Sequence, residues 1–225
     1  MSWSSGKDSV MALAAARAAG NVEVTALLTT VNGAADRVAM HAVRRSLLEA
    51  QADRLELPLV TIDIPSPCSN EVYEQRMNGA ITSARADGIS QMIFGDLFLR
   101  DVRAYREAML ANTEITPIFP LWDTPTDLLA RQMIESGVRA IITCVDPAQL
   151  SPDFVGRDFD AKLLSDLPSA VDPCGERGEF HTFVWDGPGF CSPIVVATGE
   201  VVERDGFVFC DVLEMNEVGD LTAGS

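Results

Sequence analysis

The sequence predicts an α/β fold, with a parallel sheet covered by helices on both faces, followed by a smaller α+β unit. In the first 123 residues, short apolar runs rich in β-branched side chains alternate with helical segments, the pattern of a parallel sheet. From Glu179 onward the pattern is mostly β, and two strands flank Arg204-Asp205-Gly206, a hairpin signal. Charge is also uneven: residues 1–123 carry 11 basic and 15 acidic side chains (net −4), whereas residues 124–225 carry 6 and 18 (net −12).

The first unit contains four predicted helices that alternate with strands. An alanine-rich segment begins at Asp8 and ends before Gly20, as expected of a helix closed by a glycine. Apolar residues at spacings of three and four around Leu47 predict a second helix, and Asn70 is the predicted N-cap of a third. The helices are predicted at 8–19, 40–50, 71–86 and 101–110, and the strands at 22–30, 59–64, 91–97 and 116–121.

The second unit begins with a helix start. Thr124 is the predicted N-cap and Pro125 the first helical residue, in a helix that runs to Gly137. We therefore place a domain boundary near Asp123, with domains at 1–123 and 124–225. The remaining elements are predicted as a strand at 140–145, a short helix at 159–167, a strand from 179, and hairpin strands at 195–203 and 207–213.

Composition excludes several classes of protein. The 225 residues include 17 Lys and Arg against 33 Asp and Glu, and the net charge of −16 disfavours nucleic acid or anionic lipid as a main partner. No apolar run approaches the roughly 18 residues that a membrane helix needs. Five cysteines without a C-x-x-C pair disfavour a disulfide scaffold or a zinc ribbon. We expect a cytoplasmic protein whose partners include neither nucleic acid nor membrane.

The loop before the first helix, Ser4-Ser5-Gly6-Lys7-Asp8-Ser9, is suited to binding an anion. Its small residues let the backbone approach closely, and the free N–H groups of a helix start face the same place. Lys7, one of only two lysines, adds a compact positive charge. Asp8 would repel phosphates unless a cation intervened, which suggests bridging Mg²⁺. Alternatively, Asp8 is an ordinary helix-start acid after a Ser/Gly turn.

This loop resembles the PP-loop, S-G-G-x-D-S, of ATP pyrophosphatases, although Ser5 stands where that family usually has its first glycine. The resemblance implies a HUP-type (Rossmann-like) sheet, with ATP and Mg²⁺ as cofactors and cleavage of ATP between its α and β phosphates. The implied nucleotide contacts are Ser4, Ser5, Gly6, Lys7, Asp8 and Ser9.

Further segments narrow the resemblance to the diphthine–ammonia ligase (diphthamide synthase) family and its bacterial-type branch. They are Met40-His41, Asn70-Glu71-Val72-Tyr73-Glu74, Phe94-Gly95-Asp96-Leu97, Arg103-Ala104-Tyr105-Arg106-Glu107, Pro120-Leu121-Trp122 and the run from Asp172 to Thr182. The resemblance implies further nucleotide contacts at His41 and Gly95. It implies substrate contacts at Asn70, Glu71, Tyr73, Glu74, Arg103, Arg106, Cys174, Gly175, Gly178 and Thr182.

One segment departs from the diphthine ligases. Where they carry E-G-G-E-F-E-T, this chain reads Gly175-Glu176-Arg177-Gly178-Glu179-Phe180-His181-Thr182. The histidine form is that of the bacterial-type branch, in which diphthamide is absent. The resemblance therefore retains the ATP chemistry and leaves the acceptor open, with a cobalamin-related carboxylate as one alternative.

Glu176, Glu179 and His181 lie within six positions, in a glycine-rich turn that enters a strand. Alternation along that strand predicts that Glu179, His181, Phe183 and Trp185 share one face, which we interpret as a pocket wall. Two acids near a histidine could hold Mg²⁺, bind ammonium or deprotonate it to ammonia. The alternative is a solvated surface turn.

Charged residues also follow the predicted strand that ends at Gly95 and Asp96. The carboxyl ends of parallel strands line the ligand crevice of an open α/β sheet. Asp96 is therefore a second candidate, with Asp8, for holding Mg²⁺ or orienting a nucleophile. Arg103 and Arg106, one helical turn apart, could bind phosphate or a substrate carboxylate, or could belong to an exposed, ion-paired helix.

Only Met1, Ser2 and Trp3 precede the loop, although a strand usually needs about five residues. We therefore expect either an unusually short central strand or further residues upstream in the natural protein.

Together these observations predict an ATP-dependent, amide-forming ligase. Its catalytic residues are expected to be Lys7, Asp8, Asp96, Glu176, Glu179 and His181. Its partners are ATP, ammonia and an unidentified carboxylate acceptor, and a homodimer is one possible assembly. The rival hypothesis is a regulator that holds ATP or AMP without turnover.

Overall fold

The computed structural model describes residues 1–32, 37–38, 43–65 and 67–215. The helices are α1 (Lys7–Ala19), α2 (Arg45–Leu55), α3 (Asn70–Ala86), α4 (Arg100–Leu110), α5 (Thr126–Glu135) and α6 (Ala161–Asp166). The strands are β1 (Leu27–Asn32), β2 (Arg37–Val38), β3 (Leu59–Ile64), β4 (Gln91–Ile93), β5 (Thr116–Ile118), β6 (Arg139–Val145), β7 (Phe180–Asp186), β8 (Val196–Arg204) and β9 (Phe207–Glu214). Among the described residues, no helix has both the length and the apolar character that crossing a membrane requires.

The first sheet is parallel except for β2. β1 pairs in parallel with β3 and antiparallel with β2, while β4 pairs in parallel with β5. The first three residues join the two groups: Ser2 forms a parallel bridge with Leu28, and its N–H donates to the Ile93 carbonyl at 2.9 Å. These residues act as a short central strand and bring the following loop to the carboxyl ends of the strands.

Helices cover both faces of this sheet, as predicted. On one face, Leu13 of α1 and Leu47 of α2 pack with Leu27 of β1 in the main core. On the other face, Met77 of α3 packs with Ile62 of β3, and the aromatic and aliphatic residues beneath α3 and α4 form a second small cluster. The cover is uneven: buried and half-buried residues alternate along β1, and in β3 Ile62 and Ile64 are buried whereas Val60 and Asp63 are exposed.

The second sheet is antiparallel, in the order β7-β6-β9-β8. β8 and β9 form the predicted hairpin, whose turn residues Asp205 and Gly206 both have positive φ (54° and 83°). The fold class expected from the sequence is therefore confirmed. The main core also contains Val138, Phe180 and Phe183 of this half, so it extends across the predicted boundary near Asp123.

Several predicted element ends were wrong by a few residues. Ser69, and not Asn70, is the N-cap of α3, because the Ser69 hydroxyl accepts the Val72 N–H. Pro125 takes the N-cap position of α5, one residue beyond the predicted Thr124. The strand predicted at 91–97 pairs only over Gln91–Ile93, although Phe94 and Leu97 beyond it stay buried. Apolar runs report burial, which continues where strand pairing has ended.

Candidate active site

A cleft of about 220 Å³ lies where the amino end of α1 meets β7 and the loops after β4 and before β7. Its walls come from segments far apart in sequence. The predicted site residues that line it are Ser4, Gly6, Lys7, Asp8, Ser9, Gly95, Asp96, Arg106, Cys174, Gly175, Glu176, His181 and Thr182. A larger cavity of about 1220 Å³ lies between α3 and the start of β1 and β4, and it contains none of these residues.

Residues Ser4–Ser9, here called the phosphate loop, are held in place by side-chain and backbone hydrogen bonds. The hydroxyls of Ser4 and Ser9 lie 2.8 Å apart, and the Lys7 N–H donates to Thr182 Oγ1 at 3.1 Å. Ser5 has a positive φ of 70° and is fully buried, so its side chain does not line the cleft. The loop thus places the amino end of α1 at the cleft, where its dipole and free N–H groups favour an anion.

Lys7 is 2% exposed and bridges two parts of the site. Its Nζ lies 3.0 Å from Asp8 Oδ2, donates to the Cys174 carbonyl, and sits 5.3 Å from the centre of the Phe180 ring. Burial acts to lower the pKa of Lys7, but Asp8 and the neighbouring acids raise it above its usual value. Lys7 is therefore a permanent cation at the cleft.

Two buried carboxylates shape the loop of residues 172–179, here called the acid loop. Glu179 accepts the N–H groups of Asp172 and Arg177, each at 2.9 Å. Asp172 accepts the Cys174 N–H at 2.9 Å and the Thr126 hydroxyl at 2.7 Å. Glu179 is 2% exposed and does not line the cleft, so its carboxylate organises the loop that carries Glu176.

Gly175 is required by the same loop. Its φ is +68°, and a Cβ there would lie 2.7 Å from the Phe180 carbonyl oxygen. A side chain would therefore force the acid loop away from β7. The glycine lets the chain turn tightly enough to bring Glu176 into the cleft.

Glu176 lines the cleft, and the pKa of its carboxyl is raised. Its Oε1 accepts the Leu97 N–H at 2.7 Å and the Phe98 N–H at 3.4 Å. Burial raises its pKa to about 7, against the lowering effect of those amides, and the charges of Asp8 and Asp96 raise it further. A carboxyl that titrates near neutral pH can both accept and return a proton.

Asp96 and Arg106 both line the cleft and form an ion pair without a good hydrogen bond. Arg106 Nε lies 3.5 Å from Asp96 Oδ2, and both atoms are buried without a hydrogen-bond partner. Burial raises the pKa of Asp96, although Arg106 opposes that shift. The neighbouring Gly95 lets this loop approach the start of α1 closely, because a Cβ there would lie 3.1 Å from the Asp8 carbonyl carbon.

Asp8 and Asp96 both line the cleft, and carboxylate oxygens are the ligands that Mg²⁺ prefers. Burial raises the pKa of Asp8 as well, despite Lys7, and Asp96 Oδ2 accepts no hydrogen bond in addition to its ion pair with Arg106, so these two residues could hold Mg²⁺. Over the described part of the chain, no group of three or more His, Cys, Asp and Glu side chains is arranged to hold a metal by itself. Mg²⁺ commonly binds through one or two carboxylates plus substrate phosphates. A pair of carboxylates without a third protein ligand is therefore compatible with Mg²⁺.

The pocket wall predicted on β7 is formed only in part. His181 lines the cleft as predicted, but Glu179, Phe183 and Trp185 do not, and Phe183 is fully buried in the core. Phe180 and Thr182 of the opposite face line the cleft as well. The sheet faces a core on one side and the phosphate loop on the other, so both sets of residues are enclosed. Burial lowers the pKa of His181 to about 4, and Lys7 adds to that shift, so the imidazole is neutral at pH 7.

Other predicted contacts lie outside the cleft. Asn70, Glu71 and Glu74 are exposed at the start of α3, and Arg103 pairs with Glu107 at 2.8 Å. Arg103 also stacks on the rings of Phe119 and Trp122. Tyr73 and Gly178 do not line the cleft either, and His41 lies outside the described residues. Their roles as contacts stay predictions.

Two residues that organise the site were missed. Gln51 is fully buried and bonds the phosphate loop and β7, and Asp172 holds the acid loop. Gln51 sits on the apolar face of a helix, where a polar residue needs partners, and that was the signal available in the sequence. Burial raises the pKa of the Cys174 thiol far above its usual value, which disfavours this thiol as a nucleophile.

Comparison with known proteins gives consistent matches. The family model described as the diphthamide synthase N-terminal domain matches residues 1–112, and the diphthamide synthase C-terminal domain matches residues 125–218. The diphthine–ammonia ligases of Bos taurus and Homo sapiens are each 33% identical over 111 residues, which is 47% of this chain and 42% of theirs. That of Danio rerio is 31% identical over 131 residues, 56% of this chain and 50% of its own. The matches span half or less of the length of each of these relatives.

Proposed function

Because the chain belongs to the diphthamide synthase family, we propose that it is an ATP-dependent ligase that converts a carboxylate to an amide with ammonia. The observation that carries this proposal is the cleft itself. A helix amino end and a buried lysine, which suit phosphates, face Glu176, Asp96 and Arg106, which suit acid–base chemistry and carboxylate binding. The proposed reaction cleaves ATP to AMP and pyrophosphate.

In the first step, an oxygen of the acceptor carboxylate attacks the α-phosphorus and pyrophosphate leaves. The α1 amide groups, the serine hydroxyls and Lys7 bind the phosphates and stabilise the negative charge that develops on them. Arg106, whose Nε has no hydrogen-bond partner, is placed to bind the acceptor carboxylate. When bound by Asp8 and Asp96, Mg²⁺ would supply further charge neutralisation for the phosphates.

In the second step, the ammonia nitrogen bonds to the carbonyl carbon of the acyl adenylate, the bond to AMP breaks, and one proton is released. Glu176 is the proposed acceptor of that proton, because its pKa of about 7 is close to the operating pH. His181 is neutral and is proposed to contact ammonia without taking its proton. Glu179 is proposed to act through the acid loop and not by touching substrate.

The identity of the acceptor carboxylate is proposed from the names of the relatives and from the requirement of the reaction for a carboxylate. The relatives' name specifies diphthine, a carboxylate-bearing substrate, and we propose either diphthine or a small-molecule carboxylate for this chain. Incubating the protein with ATP, Mg²⁺ and ¹⁵N-ammonium, once with diphthine and once with a small-molecule extract, tests both. We expect equal amounts of AMP and pyrophosphate, and ¹⁵N in one product by mass spectrometry.

Lys7→Met is the variant for this experiment. It keeps most of the buried volume and removes the charge, so the rate should fall by about 100-fold or more. Lys162→Met is the matched control, because Lys162 is the other lysine of the chain and is exposed on α6. ATP binding without any pyrophosphate release would support the regulator instead, and full activity in Lys7→Met would exclude the proposed role of Lys7.

A further inference from the structure

We infer that Gln51 is a positioning residue that orients a phosphate-binding amide of the phosphate loop. This inference rests on the proposed function, since it assigns the amide to a nucleotide phosphate. Gln51 lies on α2, is fully buried and does not line the cleft. It acts through the backbone of the loop.

Both the oxygen and the NH₂ group of the Gln51 amide are engaged in hydrogen bonds. Its Oε1 accepts the indole N–H of Trp3 at 2.9 Å. Its Nε2 donates to the Ser5 carbonyl at 3.0 Å and to the Val184 carbonyl at 2.6 Å. One side chain thus connects the residue before the phosphate loop, the loop itself and β7.

The contact with Ser5 controls a peptide plane. The Ser5 carbonyl also accepts the Val184 N–H at 3.1 Å, so two donors fix the direction of this oxygen. Because a trans peptide directs its C=O and N–H to opposite sides, the Gly6 N–H must point away from Gln51. Gly6 lines the cleft, and its N–H makes one long hydrogen bond of 3.4 Å to Ser4 Oγ. The N–H therefore points toward the hydroxyl of Ser4, another cleft-lining residue, at the part of the cleft that is proposed to hold a phosphate.

The backbone of Ser5 shows why such support is needed. Its φ of +70° is unfavourable for a residue with a Cβ, and such conformations persist only where surrounding contacts hold them. Without the Gln51 N–H, the Val184 N–H is the one remaining donor to the Ser5 carbonyl, so the Ser5–Gly6 peptide rotates more readily toward an ordinary conformation. Such a rotation turns the Gly6 N–H away from its present direction.

Two variants of Gln51 test this. Gln51→Glu keeps the shape of the side chain and an acceptor for Trp3, but it removes the two-hydrogen donor. Gln51→Met removes all the polar contacts. Leu48→Val, fully buried one turn earlier on α2, is the control for lost packing.

Binding of α,β-methylene-ATP with Mg²⁺ is measured by calorimetry, and the Gly6 amide resonance is followed in ¹⁵N-labelled protein without nucleotide. We expect both Gln51 variants to bind the analogue about 10- to 100-fold more weakly, and the Gly6 resonance to move. Leu48→Val should do neither, even where its melting temperature falls by as much.

The two readouts separate the inference from the proposed function. An unchanged Gly6 resonance and unchanged analogue affinity in Gln51→Glu would overturn the inference while the wild type still binds the analogue. A wild type that binds no analogue would overturn the proposed function together with the phosphate role of Gly6. If Gln51→Met fails to fold, Gln51→Glu alone decides the matter.

Discussion

At the scale of single residues, Glu176 shows how burial in a cleft changes the pKa of a side chain enough for it to exchange protons near neutral pH. Its carboxyl accepts two backbone N–H groups, yet burial and the nearby Asp8 and Asp96 raise its pKa to about 7. The folded protein therefore binds more protons at this site than the unfolded chain does between pH 4.5 and about 7. Because of that difference, the ionisation of Glu176 destabilises the fold as the pH rises through this window.

This predicts a pH-dependent gain in stability for Glu176→Gln. The amide keeps an oxygen for the Leu97 N–H and does not ionise. The folding stability of the variant therefore does not fall with rising pH at this site, whereas that of the wild type does. The difference in melting temperature, variant minus wild type, should be smallest at pH 5 and largest at pH 8. Glu203→Gln, on the exposed strand β8, is the control and should show no such trend. A difference that does not change with pH would contradict the assignment of the raised pKa.

The residues of the site were largely predictable because they lie in short local motifs. The loop around Lys7 and the run around Glu176 each place their chemistry within a few positions of sequence. Gln51 was not predictable in this way, because its hydrogen-bond partners are distant in sequence. Trp3 lies 48 residues away, Ser5 46 and Val184 133. Local patterns carry information on local geometry, and long-range contacts depend on the completed fold.

At the scale of elements, the acid loop is held by hydrogen bonds to its backbone and not by ion pairs. Glu179 accepts two buried N–H groups, whereas Arg177 Nη1 lies 3.8 Å from the Glu179 carboxylate and its side chain is 55% exposed. Exposed ion pairs contribute little, and an unsatisfied buried N–H costs about 1–3 kcal/mol. The stability of the loop should therefore depend on Glu179 and not on Arg177.

We accordingly predict that Glu179→Gln destabilises the protein by about 1–3 kcal/mol, because its NH₂ group must face a backbone N–H. Arg177→Ala should cost about 0.5 kcal/mol or less. Chemical denaturation of both variants measures the difference. In the ligase assay, Glu179→Gln should also lower the rate, since Glu176 moves with the loop. Equal stability of the two variants would argue against the backbone contacts as the source of order.

Element types were predicted better than element ends. The helices and strands of the first half follow from alternating patterns, but the run after β4 leaves the strand at Ile93 while Phe94 and Leu97 stay buried, and Gly95 lies close to the backbone of Asp8. Alternation along β7 predicted the cleft lining at His181 but not at Phe180 and Thr182, because residues on both faces of this strand are largely enclosed. Pattern arguments work where one face meets water and fail where neither does.

At the scale of the whole molecule, the two predicted units share contacts as well as a cleft. The main core contains Leu13 and Leu47 from the first half and Leu129 and Phe183 from the second. An ion pair between Arg44 and Asp211 at 2.5 Å joins the same halves at the surface. The domain boundary near Asp123 stays a prediction. The core that the two halves share determines whether they unfold together or separately.

A shared core predicts that the chain unfolds as one cooperative unit. Phe183 is fully buried, so Phe183→Ala should cost about 3–5 kcal/mol, and that loss should reach both halves equally. Hydrogen exchange in increasing denaturant, read by mass spectrometry, follows peptides from α1 and α2 alongside peptides from β6 and β7. All of them should lose protection at one denaturant concentration, and Phe183→Ala should lower that concentration for every peptide. Val201→Ala, 54% exposed on β8, serves as the control and should leave the midpoints nearly unchanged. Separate midpoints for the two halves, with Phe183→Ala moving only the second, would instead mean that each half folds alone and that the cleft forms by docking of two independent domains.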